Sequence, residues 1–169
     1  VFHRKGKFTT FVESIRVVLR RHFHPDCDEA CPIPVPSHIL GDITLLGHSA
    51  GGSTLMSISR SGGLNWLHES SGASSVKIIF SDASYGRWLD ITWKYFKPRY
   101  WETDFLIVTR KWDKPYRHAK RFLNKLKRVP VNISHVVLPR TVTHGVIGDR
   151  SFSYVYAAPF SGCGEGEDK

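Results

Sequence analysis

The chain has 169 residues, of which 41% are hydrophobic and 23% charged, a composition typical of one globular domain with a sizeable core. No apolar run approaches the roughly 18–20 residues that a membrane-spanning helix needs, so we expect no membrane span. The net charge is +9, but basic residues alternate with apolar positions where they are densest. We interpret them as solvated helix faces and expect no nucleic-acid partner.

The first half of the chain predicts one helix, one strand and a short second helix. Residues 8–23 carry apolar side chains spaced as on one helical face, at Phe8, Phe11, Val12, Ile15, Val18 and Leu19. A Pro-rich connection over residues 27–38 leads to an apolar strand over residues 39–46. Small residues from Gly52 onward indicate a closely packed helix. A Ser- and Gly-rich stretch over residues 61–75 reads as loop with a short helical piece around Trp66.

The second half alternates strands and helices. Apolar, β-branched runs predict strands at residues 76–80, 105–109 and 131–138, and the last is followed by a loop that holds His144. Residues 87–96 indicate a helix or a lid-like segment. We interpret its Trp88, Trp93 and Phe96 side chains as core rather than as an acyl pocket or lid. Pro115 marks the first turn of another helix.

This alternation predicts the fold class and the domain organisation. Strands that alternate with helices predict an α/β fold, with a three-layer, mostly parallel, doubly wound sheet. We expect a single domain over residues 1–160. The Gly- and Glu-rich residues 161–169 are expected to form a flexible tail.

The three cysteines do not predict a disulfide framework, because their number is small and odd. His22, His24, Cys27 and Cys31 have side chains that suit zinc. Their segment is rich in Pro and Asp, however, and no second Cys/His pair stands nearby. We interpret it as a surface loop, which a Cys27–Cys31 disulfide could close in an oxidising compartment, and we expect neither a metal nor an organic cofactor.

The most informative motif is Gly47-His48-Ser49-Ala50-Gly51, which follows the apolar run at residues 43–46. This G-x-S-x-G pattern after a strand is typical of a serine held on a sharp strand-to-helix turn, the nucleophile elbow. The following helix would point backbone N–H groups at an oxyanion that forms near the serine. The alternative interpretation is a tight turn without chemistry.

Three further polar residues follow predicted strands and are candidate partners of Ser49. Asp82, Asp113 and His144 each come directly after a strand, and the carboxyl ends of parallel strands meet at one edge of a sheet. We therefore expect all four residues at the same edge. Asp113 is alternatively a helix-capping residue, Asp82 a turn former, and His144 an ordinary loop histidine.

Over about residues 8–156, the chain resembles the α/β-hydrolase superfamily of serine esterases and lipases. The resemblance rests on the Gly-His-Ser-Ala-Gly motif and on the order of Ser49, an aspartate and His144 along the chain. The resemblance implies a catalytic triad of serine nucleophile, histidine base and orienting carboxylate. It slightly favours Asp113 as the acid, although some members carry the acid at the position of Asp82. His48 stands where this family often has a histidine that packs rather than acts.

The chain departs from the family before the motif. A complete member has several strands there, and a loop among them donates a second oxyanion N–H, often from a His-Gly pair. Only 48 residues precede Ser49 and none of them forms a His-Gly pair. We therefore expect a partial α/β-hydrolase fold that lacks the N-terminal strands, with the Ala50 N–H as the identified oxyanion donor. Three explanations stay open: the natural protein is longer, the oxyanion hole is improvised, or the fold is reduced and inactive.

These features predict a serine hydrolase of carboxylesterase or lipase type. It would cleave an ester, thioester or amide through an acyl-enzyme on Ser49, with His144 as general base. The expected partner is a small-molecule or lipid-like ester. The alternative is a catalytically inactive, hydrolase-like binding or scaffold protein.

Overall fold

The computed structural model describes residues 6–23, 42–71, 73, 75–96, 103–126 and 133–155. Within these ranges the strands are β1 (Asp42–His48), β2 (Ser75–Ser81), β3 (Thr103–Arg110) and β4 (Ile133–Leu138). The helices are α1 (Lys7–Phe23), α2 (Gly51–Arg60), α3 (Gly63–Glu69), α4 (Trp88–Tyr95), α5 (Lys114–Leu126) and α6 (His144–Ser153).

The four strands form one sheet in the order β1-β2-β3-β4, and every neighbouring pair is parallel. The register places His48 opposite Ser81, and Ser81 opposite Val108. The strands therefore end side by side, and the turns that follow them share one edge of the sheet. The predicted α/β class with a parallel sheet is confirmed.

Helices cover both faces of the sheet, which makes three layers. Successive side chains of a strand point to opposite faces. Ile78 and Phe80 of β2 accordingly lie in one core cluster and Ile79 in another. The first cluster includes buried residues of α1 to α5, and the second receives Ile147 of α6. The edge of the sheet where the strands end therefore lies between α2 on one face and α6 on the other.

Helix α1 buries a narrower face than its sequence pattern predicts. Phe8 and Val12 are buried, whereas Phe11, Ile15 and Val18 are 49%, 38% and 65% exposed. Among the described residues, α1 packs against the small helix α3, where a Cβ on Gly63 would lie only 2.7 Å from the Phe8 ring.

The helix around Trp66 is confirmed as α3, and the helix within residues 87–96 as α4. His144, expected in a loop, is instead the first residue of α6, whose N-cap Thr143 accepts from the Val146 N–H. The Pro-rich connection with Cys27 and Cys31, and the tail with Cys163, lie outside the described residues. Among the helices described, none combines the length and apolar character that a membrane crossing requires.

Candidate active site

Ser49 lies in the tight turn between β1 and α2. Its φ is +50°, a left-handed conformation that residues with a Cβ seldom adopt and that commonly marks functional sites. Its N–H donates to the carbonyl of Ser81 at 3.0 Å, and its own carbonyl accepts from the Gly52 N–H at 3.1 Å. The turn is therefore fixed to the end of β2 on one side and to the start of α2 on the other.

The glycines around Ser49 are not equivalent. A Cβ on Gly47 would lie 2.7 Å from Leu55 Cδ1 and 2.8 Å from the Gly51 carbonyl oxygen. A Cβ on Gly52 would lie 2.5 Å from the Ala83 carbonyl oxygen, whereas one on Gly51 would meet nothing within 4 Å. Crowding thus requires glycine at positions 47 and 52 but not at position 51.

Asp82 and His144 are joined by a direct hydrogen bond. Asp82 follows β2, has a φ of +45° and is 2% exposed. Its Oδ2 lies 2.5 Å from Nδ1 of His144, whose side chain is 44% exposed. A carboxylate accepts only, so the proton of a neutral His144 ring resides on Nδ1 and Nε2 keeps its lone pair. This is the protonation pattern that a general base needs.

Asp113, which the sequence slightly favours as the acid, is not the carboxylate bonded to His144 and lies in a different environment. Arg110 Nε donates to Asp113 Oδ2 at 2.5 Å, and Nη2 of the same guanidinium also contacts that oxygen. His144 meets Asp82 rather than Asp113 because α6 packs over β2 and β3 and brings His144 to the end of β2. Arg110 Nη1 donates to the Val142 carbonyl at 3.1 Å and so braces the segment before His144.

The relation of Ser49 to His144 follows from the register. Asp82 continues β2 beyond Ser81, which pairs with His48, so Ser49 and Asp82 start the turns after adjacent strands. The His48 and His144 rings lie 4.5 Å apart between centroids. Among the described residues, no hydrogen bond joins Ser49 Oγ to the His144 ring. Such contacts are often long without substrate and tighten only in the reacting complex.

Ala50 provides the backbone donor closest in sequence to Ser49. It is the N-cap of α2, with φ −59° and ψ −21°, and it is exposed. N–H groups at the start of a helix have no intrahelical acceptor and lie at the positive end of the helix dipole. The start of α2 is therefore suited to an anionic oxygen.

Tyr85 lies three residues after Asp82, in the segment between β2 and α4. Burial raises the pKa of the Tyr85 hydroxyl, the carboxylates of Asp82 and Asp113 raise it further, and Arg110 opposes them. Its ring meets Trp88 edge-on at 5.6 Å between centroids. The Tyr85 hydroxyl is thus kept neutral by burial and by the carboxylates of Asp82 and Asp113. Phe96 is buried in the core and Trp88 and Trp93 pack against it, as expected, whereas Tyr95 is exposed.

Ser81 and Ser151, which no sequence pattern marks, form a buried polar contact next to the site. Ser151 Oγ lies 2.7 Å from Ser81 Oγ, and both side chains are fully buried. The residues are 70 positions apart. No local motif identifies such a pair, because it depends on how α6 packs on β2.

Comparisons with known proteins return no matching family model, curated protein or solved structure. Within the described residues, no group of three or more His, Cys, Asp or Glu side chains is arranged to hold a metal ion. Cys27 and Cys31 of the zinc-like motif are not among those residues.

Proposed function

We propose that this chain is a serine hydrolase that cleaves an ester, thioester or amide through an acyl-enzyme on Ser49. His144 is the general base and Asp82 is the carboxylate that orients it. The observation that carries the proposal is the hydrogen bond from His144 Nδ1 to the buried Asp82, at the strand end next to the strained Ser49 turn.

In the proposed acylation step, His144 Nε2 removes the proton from Ser49 Oγ as the oxygen attacks the carbonyl carbon. The carbonyl electron pair moves to oxygen and forms a tetrahedral oxyanion, to which the Ala50 N–H donates. The intermediate collapses and the leaving group takes the proton from Nε2. In deacylation, water attacks the acyl carbon with the same base, and the acid is released.

Asp82 contributes orientation and charge. The hydrogen bond to Nδ1 keeps Nε2 unprotonated in the resting ring, and the carboxylate stabilises the imidazolium that forms after proton transfer. Asp82 is 2% exposed, so water screens this attraction little. General-base assistance of this kind contributes about 10²–10⁴ in rate.

The start of α2 supports the oxyanion role of Ala50. One donor aimed at a developing oxyanion is worth about 2.7–4 kcal/mol of transition-state stabilisation. Tyr85 and Trp88 follow Asp82 in sequence, and their rings are in contact with each other. We propose that these rings contact the acyl or alcohol part of a small or lipid-like ester.

Labelling with a fluorophosphonate tests the proposed nucleophile, because an activated serine oxygen displaces fluoride and remains phosphonylated. Mass spectrometry of the folded protein should locate the adduct on Ser49, and Ser49→Ala should abolish it. Ser153→Ala is the matched control, since this exposed serine at the end of α6 donates only to its own helix, at the Arg150 carbonyl. An unlabelled wild-type protein, or an adduct that survives in Ser49→Ala, would overturn the proposal.

A further inference from the structure

A buried chain of polar contacts lies under His48, the residue before the proposed nucleophile. His48 Nδ1 is 3.2 Å from Ser81 Oγ, and Ser81 Oγ is 2.7 Å from Ser151 Oγ. Ser151 Oγ is in turn 2.7 Å from the Ile147 carbonyl oxygen in its own helix. This series of polar contacts therefore connects the end of β1, across β2, to the middle of α6.

The hydroxyls of Ser81 and Ser151 both lie within reach of the Ile147 carbonyl, Ser151 Oγ at 2.7 Å and Ser81 Oγ at 3.5 Å. That carbonyl only accepts, and Ser151 has one hydroxyl proton. When this proton goes to the carbonyl at the shorter distance, Ser151 accepts from Ser81, and Ser81 accepts from the His48 ring. This arrangement satisfies the three shortest contacts and places a proton on His48 Nδ1. Its ring is thus anchored by a directional bond rather than by packing alone.

The same ring supports His144. The two ring centroids are 4.5 Å apart with planes inclined at 34°. On α6, Gly148 gives the His48 ring its space, because a Cβ there would lie 3.3 Å from two of the ring atoms. His48 is therefore in contact with both the first turn of α6 and its middle.

The His144 ring needs this support. It stands at the first position of α6, its side chain is 44% exposed, and its bond to Asp82 holds one ring atom. A single bond at Nδ1 leaves the ring able to tilt, which moves Nε2 relative to Ser49. A second contact against the ring restricts that tilt.

We propose that His48 is a positioning residue, anchored through Ser81 and Ser151, whose ring holds the His144 imidazole in the plane that presents Nε2 to Ser49. This inference rests on the proposed function. It gives His48 a positioning role, whereas the sequence motif alone indicates a histidine that only packs.

The first experiment is nitrogen-15 NMR of the histidine side chains. We expect the Nδ1–H tautomer at His48 in the wild-type protein and its loss in Ser81→Ala, which leaves the Ser151 bond to Ile147 intact. We also expect the His144 Nδ1–H resonance to broaden in His48→Ala and to stay sharp in His48→Phe, which keeps a ring. An Nε2–H tautomer at His48 in the wild type, or a sharp His144 resonance in His48→Ala, overturns the proposal.

The second experiment measures the rate of fluorophosphonate labelling. His48→Ala should lower it about tenfold to a hundredfold, the scale of a small misplacement of a reacting group. His48→Phe keeps a ring but loses the bond to Ser81, so it should restore only part of the loss. His135→Gln is the matched control, because His135 is bonded to Thr109. Equal rates in His48→Ala and wild type overturn the role of His48. If the wild type itself is unlabelled, the proposed function fails, whereas the NMR results still decide whether His48 holds His144.

Discussion

Replacing Gly52 by alanine tests whether α2 must approach the Asp82 turn as closely as the structure indicates. The new Cβ would lie 2.5 Å from the Ala83 carbonyl oxygen and 2.9 Å from both Ala83 Cβ and Trp88 Cε3. Ordinary contact begins at 3.4 Å. The closest neighbour is backbone, so α2 and the turn after β2 must separate by close to 1 Å.

The expected cost follows from two opposing terms. Overpacking a well-filled contact costs about 1–3 kcal/mol, and contact with backbone places this site at the upper end. Alanine in a helix gains up to about 1 kcal/mol over glycine. We therefore expect Gly52→Ala to be destabilised by about 2 kcal/mol. Gly51→Ala receives the same helical gain with nothing within 4 Å of its Cβ, and it should be neutral or more stable.

Urea unfolding followed by fluorescence of the five tryptophans measures this difference. The midpoint of Gly52→Ala should fall and that of Gly51→Ala should not, with unchanged slopes. Because Ala83 follows Asp82, the fluorophosphonate labelling rate should also fall in folded Gly52→Ala and remain near wild type in Gly51→Ala. Equal stabilities of the two variants would refute the close approach of α2.

Two further predictions concern stability. Burial, assisted by nearby Lys120, lowers the pKa of His135 from 6.5 to about 4. The contribution of the neutral His135 ring to stability is therefore fully present above pH 6.5. As the pH falls from 6.5 to 4, only the unfolded state gains the proton, and the free energy of unfolding falls by about 3 kcal/mol. Urea titrations at several pH values should show this loss. If His135→Gln lost the same unfolding free energy between pH 6.5 and 4, the assignment would be contradicted. Phe80→Ala should cost about 3–5 kcal/mol because Phe80 is fully buried, whereas Phe152→Ala, at 61% exposure, should change the unfolding free energy little. Similar costs for the two variants would place the core elsewhere.

The strands and the serine turn could be predicted because their signals are local. Fully buried parallel strands read as continuous apolar runs, and β2 and β3 are such strands. The Gly-rich turn at Ser49 is likewise specified by neighbours in sequence. These two signals sufficed for the α/β class and for the edge where the polar residues gather.

The partner of His144 could not be predicted in the same way. Asp82 and Asp113 both follow strands, and the choice between them depends on where α6 crosses the sheet. Helix α6 has two glycines and few apolar residues, so its sequence predicts no helix. Its long-range contacts, through Ile147 and Ser151, place His144 beside Asp82.

Paired asparagine variants test the proposal that Asp82, and not Asp113, acts with His144 on Ser49. The measurement is the second-order rate constant for fluorophosphonate labelling of Ser49, in variants whose fold is verified by circular dichroism. Asp82→Asn should lower it about 10³–10⁴-fold, the scale of losing a triad carboxylate. Asp113→Asn removes the ion pair with Arg110 and should label at close to the wild-type rate. A large loss in Asp113→Asn with none in Asp82→Asn would contradict the account.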